Sequence, residues 1–193
     1  MKKIKRLLTL LFAVTSMGVA SISITSCSSN NQPSTTPPSS EIIKDGKNIY
    51  FASPMFMQAE KDYNLKITNI LEDYGYHVFL PQRDGIEGAA LEGKTEQELI
   101  DIIFPLDVQN VKNCDIIFMN LDGRVPDEGA CVELGMAYSL GKRCYGFKTD
   151  TRSLESSMDL NPMISGCMIK IFKNMDGDKM IEELKSYLDN NAL

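Results

Sequence analysis

The chain has 193 residues, with 20 basic and 26 acidic side chains, a single His, no Trp and a net charge of −6. Its length suits one globular domain, and 43% apolar with 24% charged residues excludes wholesale disorder, collagen and coiled coil. Residues 1–26 hold four of the basic side chains and no acidic ones, leaving 16 basic against 26 acidic elsewhere; that balance of −10 repels phosphate backbones and argues against a nucleic-acid partner.

Lys2, Lys3, Lys5 and Arg6 open the chain, an uncharged and mostly apolar run follows over 7–20, and small residues lead to Ser26-Cys27. Basic start, short apolar core and small-residue cleavage site predict a secretory signal peptide over 1–26, its core too short for a comfortable membrane span. Ile24-Thr25-Ser26-Cys27 resembles a bacterial lipobox. The resemblance implies that Cys27 becomes the lipidated first residue of the mature chain. More than one acyl chain there, palmitate among them, would make the attachment stable. An uncleaved anchor or an ordinary signal peptide is the alternative. Residues 28–40 contain only Ser, Asn, Gln, Pro and Thr, so 27–45 reads as the lipidated Cys followed by a disordered polar tether. The expected location is the extracytoplasmic face of the cell membrane, reached through a lipid anchor.

From 46 to 193 the pattern alternates between strand and helix. Asn48–Ala52 reads as a strand, and 56–74 as a helix ending at Gly75 with Leu65, Ile67, Ile70, Leu71 and Tyr74 as its apolar face. His77–Leu80 is a second strand, stopped by Pro81, with His77 expected to pack in the core. After a Gly-containing loop over 84–93, a helix begins near Thr95, breaks near Pro105 and resumes to Asn113. Asp115–Met119 is the most apolar strand and is expected at the centre of the sheet. A helix over 127–140 is closed by Gly141, Arg143–Lys148 is a fourth strand, 168–172 a fifth, and 177–189 an amphipathic last helix with a solvated acidic face. The prediction is an α/β domain: a five-stranded, mostly parallel sheet with helices on both faces, flavodoxin- or Rossmann-like. Four further cysteines (Cys114, Cys131, Cys144, Cys167) lack CxxC spacing, and with one His no metal site is expected. Free thiols are favoured over disulfides because Cys114 and Cys144 lie beside apolar strands.

Ligands of such folds sit beyond the carboxyl ends of the strands, which directs attention to the loops after Ala52, Leu80, Met119 and Lys148. Pro126-Asp127 marks a helix start with Asp127 as N-cap. Glu133 lies under two turns further on, and Gly129, Ala130 and Ala137 share its face. A carboxylate over a small-residue stripe leaves room for a ring-sized substrate. The same glycines could equally serve close packing of the helix on the sheet, with Glu133 solvated at the edge. Asp107 approaches the same end of the sheet, whereas Asp115 begins its strand at the opposite end and reads as structural. Two or three carboxylates without a usable His point to glycosidic chemistry, in which one attacks an anomeric carbon and another protonates the leaving group. No GxSxG elbow, P-loop or GxGxxG is present.

The segments IYFASPMF, FLPQRDGIE, PLDVQNVKNCDIIFMNLDG, PDEGACVELGMAYSLGKRCYGFKTDTR and NPMISG, in this order over about residues 49–166, together resemble the nucleoside 2-deoxyribosyltransferase family. The resemblance implies that Glu133 is the nucleophile forming a 2-deoxyribosyl ester, Asp107 the proton carrier near the base, and Tyr50 the hydroxyl that orients the nucleophile. It implies further that Asp127 holds a sugar hydroxyl and Gln82 contacts the base. Asn161 and Met163 would be supplied to a neighbouring subunit's pocket, so a homo-oligomer with shared sites is implied. Substrates would be 2'-deoxynucleosides and free nucleobases, with no cofactor and no metal. Physical chemistry agrees: a 2-deoxy sugar develops positive charge at its anomeric carbon readily, a carboxylate can stabilise and trap it, and departure of the base needs an acid. The signal and Cys27 depart from a family whose members are typically intracellular.

Two other functions fit parts of the pattern. A deoxynucleoside or deoxynucleotide N-glycosidase would pass the sugar to water, and Ser53 with Arg124 could begin a phosphate site. A non-catalytic nucleoside-binding lipoprotein would bind without turnover. Met55, Met57 and Met136 are pocket candidates that gap-filling in the core explains as well.

Overall fold

A computed structural model describes residues 46–86, 90–150, 152 and 158–193. The signal segment, Cys27 and the polar tether lie outside the described residues. In chain order the elements are β1 (Asn48–Ala52), α1 (Gln58–Asp73), β2 (His77–Phe79), α2 (Pro81–Asp84), α3 (Glu96–Asn113), β3 (Ile116–Asn120), α4 (Glu128–Ser139), β4 (Arg143–Lys148), α5 (Pro162–Cys167), β5 (Lys170–Lys173) and α6 (Gly177–Asn190). All strand pairs are parallel and the order is β2-β1-β3-β4-β5. The winding direction therefore reverses between β1 and β3, which opens a crevice at their carboxyl ends.

Alternation along the strands sends side chains to two distinct cores. Ile49, Phe51, Ile116, Phe118, Tyr145, Phe147 and Phe172 face α1 and α6, which contribute Ile67, Leu71, Met180, Leu184 and Leu188. Tyr50, Ala52, Ile117, Met119 and Cys144 face the other way, towards α3, α4 and α5. All five residues of β3 are buried, as expected of the central strand.

Several expectations are corrected. Pro105 does not break its helix: α3 runs unbroken through it. Pro105 and Asp101, whose carbonyl loses its partner, are both exposed, so water can take the orphaned oxygen. The start of α3 is secured by a capping box in which Thr95 Oγ1 accepts from Glu98 N–H and Glu98 accepts from Thr95 N–H. His77 is exposed because it is the first residue of the edge strand, at the amino end of the sheet, although it shares a face with Phe79. Leu65 lies off the buried stripe of α1, which consists of Asn64, Ile67, Thr68, Ile70 and Leu71. The short helices α2 and α5 were not anticipated; each carries Pro in its first turn and is too brief to show a 3.6-residue period. The four described cysteines are free, and burial holds the Cys114, Cys131 and Cys144 thiols above the usual range, Cys144 up to about 11. That is the signature of inert core thiols.

Candidate active site

Tyr50 sits in the middle of β1 and points to the α4 side of the sheet, fully buried and stacked on Phe79 at 5.7 Å between ring centroids. Its hydroxyl donates to Glu133 Oε1 at 2.6 Å. Burial first, then the charges of Glu133 and Asp107, hold this phenol far above its ordinary range, so it stays protonated and can only donate to the carboxylate.

Glu133 is brought there by α4. Asp127 caps the helix by accepting from Ala130 N–H at 2.8 Å, as its position after Pro126 predicted. Ala130, Leu134 and Ala137 then bury one face of the helix against the sheet. Glu133, one position before Leu134, emerges at the edge of that face. Its pKa is pushed up to about 7, chiefly by burial; the Tyr50 hydrogen bond opposes the rise, while Asp107 and Asp127 add to it. Asp107, on α3, is also raised by burial, with the Tyr50 hydroxyl working against the shift. One phenol thus sits between two carboxyls that burial holds above their ordinary range.

A cavity of about 500 Å³ opens between α3 and α4, and both Glu133 and Asp107 line it. The remaining wall is nearly all apolar and includes Phe104, Val108, Val111 and Met136. Gly129 lines it too, directly along the helix from Glu133, whereas a Cβ on Gly135 would meet nothing within 4 Å. Glycine at 135 is therefore not required for packing on the sheet, whereas Ala130 and Ala137 of the small-residue stripe do pack there; the open space beside the carboxylate lies between α3 and α4, next to Gly129. The size suits a small organic ligand.

The structure thus brings together Tyr50, Glu133, Asp107 and Gly129, with Asp127 under two turns from Glu133 at the helix start. Gln82 stands outside this cavity. Its amide donates to Lys61 O at 2.8 Å and its oxygen accepts from Asn64 Nδ2 at 3.1 Å. Asn161 caps α5 by accepting from Met163 N–H at 2.9 Å, and Met163 is 79% exposed. Asp115 accepts from Asn48 N–H at 2.9 Å at the opposite end of the sheet, a structural role as expected.

Residues 49–190 match the nucleoside 2-deoxyribosyltransferase family. The chain belongs to this family. Among solved structures it is similar to a 2-deoxyribosyltransferase from Bacillus psychrosaccharolyticus, at 26% identity and a TM-score of 0.57, over 76% of this chain and 98% of that one. A conserved protein from Enterococcus faecalis V583 shares 23% identity at a TM-score of 0.58, covering 72% of this chain and 98% of the other. A 2-desoxiribosyltransferase from Leishmania mexicana shares 20% at 0.52, over 74% and 97%. The last two bear on the fold alone. No curated protein matches the chain.

Two features of this deoxyribosyltransferase-family site were not foreseen in the sequence. Asn64 is fully buried on α1 and donates to Pro54 O at 2.8 Å and to Gln82, while accepting from Asn120 Nδ2 at 2.9 Å. Asp122, just past β3, accepts from Thr149 N–H, Thr149 Oγ1 and Asp150 N–H at 2.5, 2.5 and 2.7 Å. Together they tie the loops that follow β1, β2, β3 and β4. A polar residue at position 64, in phase with Ile67, Thr68 and Leu71, was the available signal for the first. Nothing local marked the second, since its partners lie in the next βα loop.

Proposed function

We propose that this protein transfers 2-deoxyribose between nucleobases by double displacement through Glu133. The observation that carries the reading is the buried Tyr50 hydroxyl donating at 2.6 Å to Oε1 of Glu133, which lines a cavity that Asp107 also lines. In the first half-reaction the ionised Glu133 oxygen forms an ester bond to the anomeric carbon as the bond from that carbon to the base nitrogen breaks. Asp107 delivers the proton to the departing nitrogen. In the second half a new base nitrogen attacks the same carbon, the ester bond breaks, Glu133 leaves as carboxylate and Asp107 recovers a proton from the incoming base. Two inversions give net retention. Tyr50 holds one Glu133 oxygen so that the other faces the sugar, and its hydrogen bond favours the ionised form that attacks.

In this reading Asp127 holds a sugar hydroxyl with the carboxylate oxygen that its cap to Ala130 N–H leaves free. Exposed Met163, beside Asn161, supports a homo-oligomer in which these residues complete a neighbour's pocket; sedimentation of the soluble domain should give a species larger than the monomer. Lipidation of Cys27 would display the enzyme on the outer face of the membrane. Growth with a radioactive fatty acid should label the protein and leave a Cys27→Ser variant unlabelled.

The deciding assay incubates residues 46–193 with thymidine, with and without adenine. Deoxyadenosine that forms only when adenine is present supports transfer. Free deoxyribose at equal rates in both arms would instead make the protein an N-glycosidase, and binding without product would make it a receptor.

A further inference from the structure

The loop from Leu121 to Asp127 leads from the central strand to the cap of α4, and its anchoring is unusually explicit. Leu121 N–H extends the sheet by donating to Phe147 O at 2.9 Å. Asp122 N–H donates to Asn120 Oδ1 at 2.9 Å, while the Asp122 carboxylate accepts the three hydrogen bonds from Thr149 and Asp150. The clasp is reciprocal. Gly123 N–H donates back to Asp150 Oδ2 at 3.2 Å, and Asp150 is fixed in turn by Arg152, whose Nε lies 2.9 Å from each carboxylate oxygen. That pairing, with the guanidinium donors leading, holds Asp150 well below the usual carboxylate range, so it remains an acceptor. Gly123 has φ of 115°, and a Cβ there would meet Val125 O at 2.8 Å, so the chain turns sharply just after the clasp. Beyond the turn, Arg124 and Val125 are exposed, Pro126 is buried, and Asp127 follows.

We propose that Asp122 is a positioning residue for the deoxynucleoside: by clasping the loop after β4 it sets where Asp127 presents its free carboxylate oxygen to the sugar. The inference rests on the transferase reading above, in which Asp127 holds a sugar hydroxyl. A hydroxyl contact made alike in the ground and transition states acts on substrate affinity more than on turnover. Asn at position 122 keeps the shape but removes the negative charge that the Thr149 and Asp150 N–H groups share at one oxygen, and reverses the Thr149 Oγ1 hydrogen bond, which weakens the clasp. The acceptor base does not touch Asp127, so its own KM serves as an internal control.

The test compares steady-state kinetics of the wild type and Asp122→Asn with thymidine as donor and adenine as acceptor. The expected result is a rise of about tenfold in the thymidine KM, with kcat within about threefold and the adenine KM unchanged. Thr149→Val removes only the side-chain arm of the clasp and should raise the thymidine KM by about threefold; it carries the test alone if Asp122→Asn does not fold. A fall in kcat at constant KM, a parallel rise in the adenine KM, or no change would overturn the proposal. Should the wild type bind thymidine without transferring its sugar, the transferase reading fails separately, and the comparison moves to calorimetric thymidine affinity. An unweakened variant then overturns the positioning role. A wild type that neither turns over nor binds thymidine overturns both.

Discussion

The two faces of the sheet are built from different materials. On the α1–α6 side the strands present Phe51, Phe118, Phe147 and Phe172, which pack ring against ring at 5.8 to 6.4 Å and continue into Tyr63 and Tyr187. On the α3–α5 side the same strands present Ala52, Met119 and Cys144 around Tyr50, and α4 answers with Ala130, Leu134 and Ala137. The aromatic face packs its rings closely together. The small-residue face leaves a cleft, and into that cleft it places two carboxyls that burial makes reluctant to ionise. One side of the sheet thus supplies stability, while the other gives some of it up for chemistry.

The comparison breaks most readily at Glu133. Glu133→Gln should lower transfer from thymidine to adenine by about four orders of magnitude while far-UV circular dichroism stays native; an active variant would remove the mechanism. The mirror experiment is Phe118→Ala on the aromatic face. Deleting a fully buried ring from that packed cluster should destabilise the fold by about 3–5 kcal/mol in urea unfolding, with kcat per folded molecule nearly unchanged. A kcat that falls as steeply as the stability would show that the two faces are not separable.

The sequence made one face more legible than the other. Arg143–Lys148 was readable to the residue, because an apolar run follows a Gly141 that closes the preceding helix. The Asp127 cap was legible too, since it depends on neighbours within one turn, whereas the small residues around Glu133 left open space and close packing equally readable because α3 supplies the cleft's other wall. The links across the carboxyl end of the sheet were not. Asn64 and Asp122 bond to residues brought close only by the fold, and periodicity carries no trace of such partners. His77 was misread for a related reason: an apolar run predicts a strand but does not tell which strand becomes the edge. At Pro105 local propensity lost to context, because an exposed helix can leave one carbonyl to water.

Tyr50→Phe sharpens the comparison with a smaller effect. The Tyr50 hydrogen bond lowers the Glu133 pKa against burial, so its removal moves that pKa further above about 7. In the proposed mechanism Glu133 attacks in its ionised form, so the acidic limb of the kcat/KM profile should shift to higher pH. Activity at pH 7 should fall about tenfold and recover in part at pH 8.5. A profile that keeps its position while only its height drops would assign Tyr50 to packing alone.

The smallest effect is the most direct measure of what the cleft costs. Glu133 ionises with a pKa of about 7 in the folded protein and 4.5 as a free side chain, so folding opposes its ionisation. Its contribution to stability is fully present below pH 4.5 and is lost as pH rises through about 7. Gln at this position has no proton to lose. Relative to wild type, Glu133→Gln should therefore be more stable at pH 8 by about 1–2 kcal/mol, after allowing for the solvent that reaches the cleft. The advantage should shrink through pH 6 and vanish by pH 4. Urea midpoints at pH 4, 6 and 8 measure it. A difference that stays constant across that range would mean that the carboxyl is not held above its ordinary range, and that the small-residue face gives up no stability to keep it there.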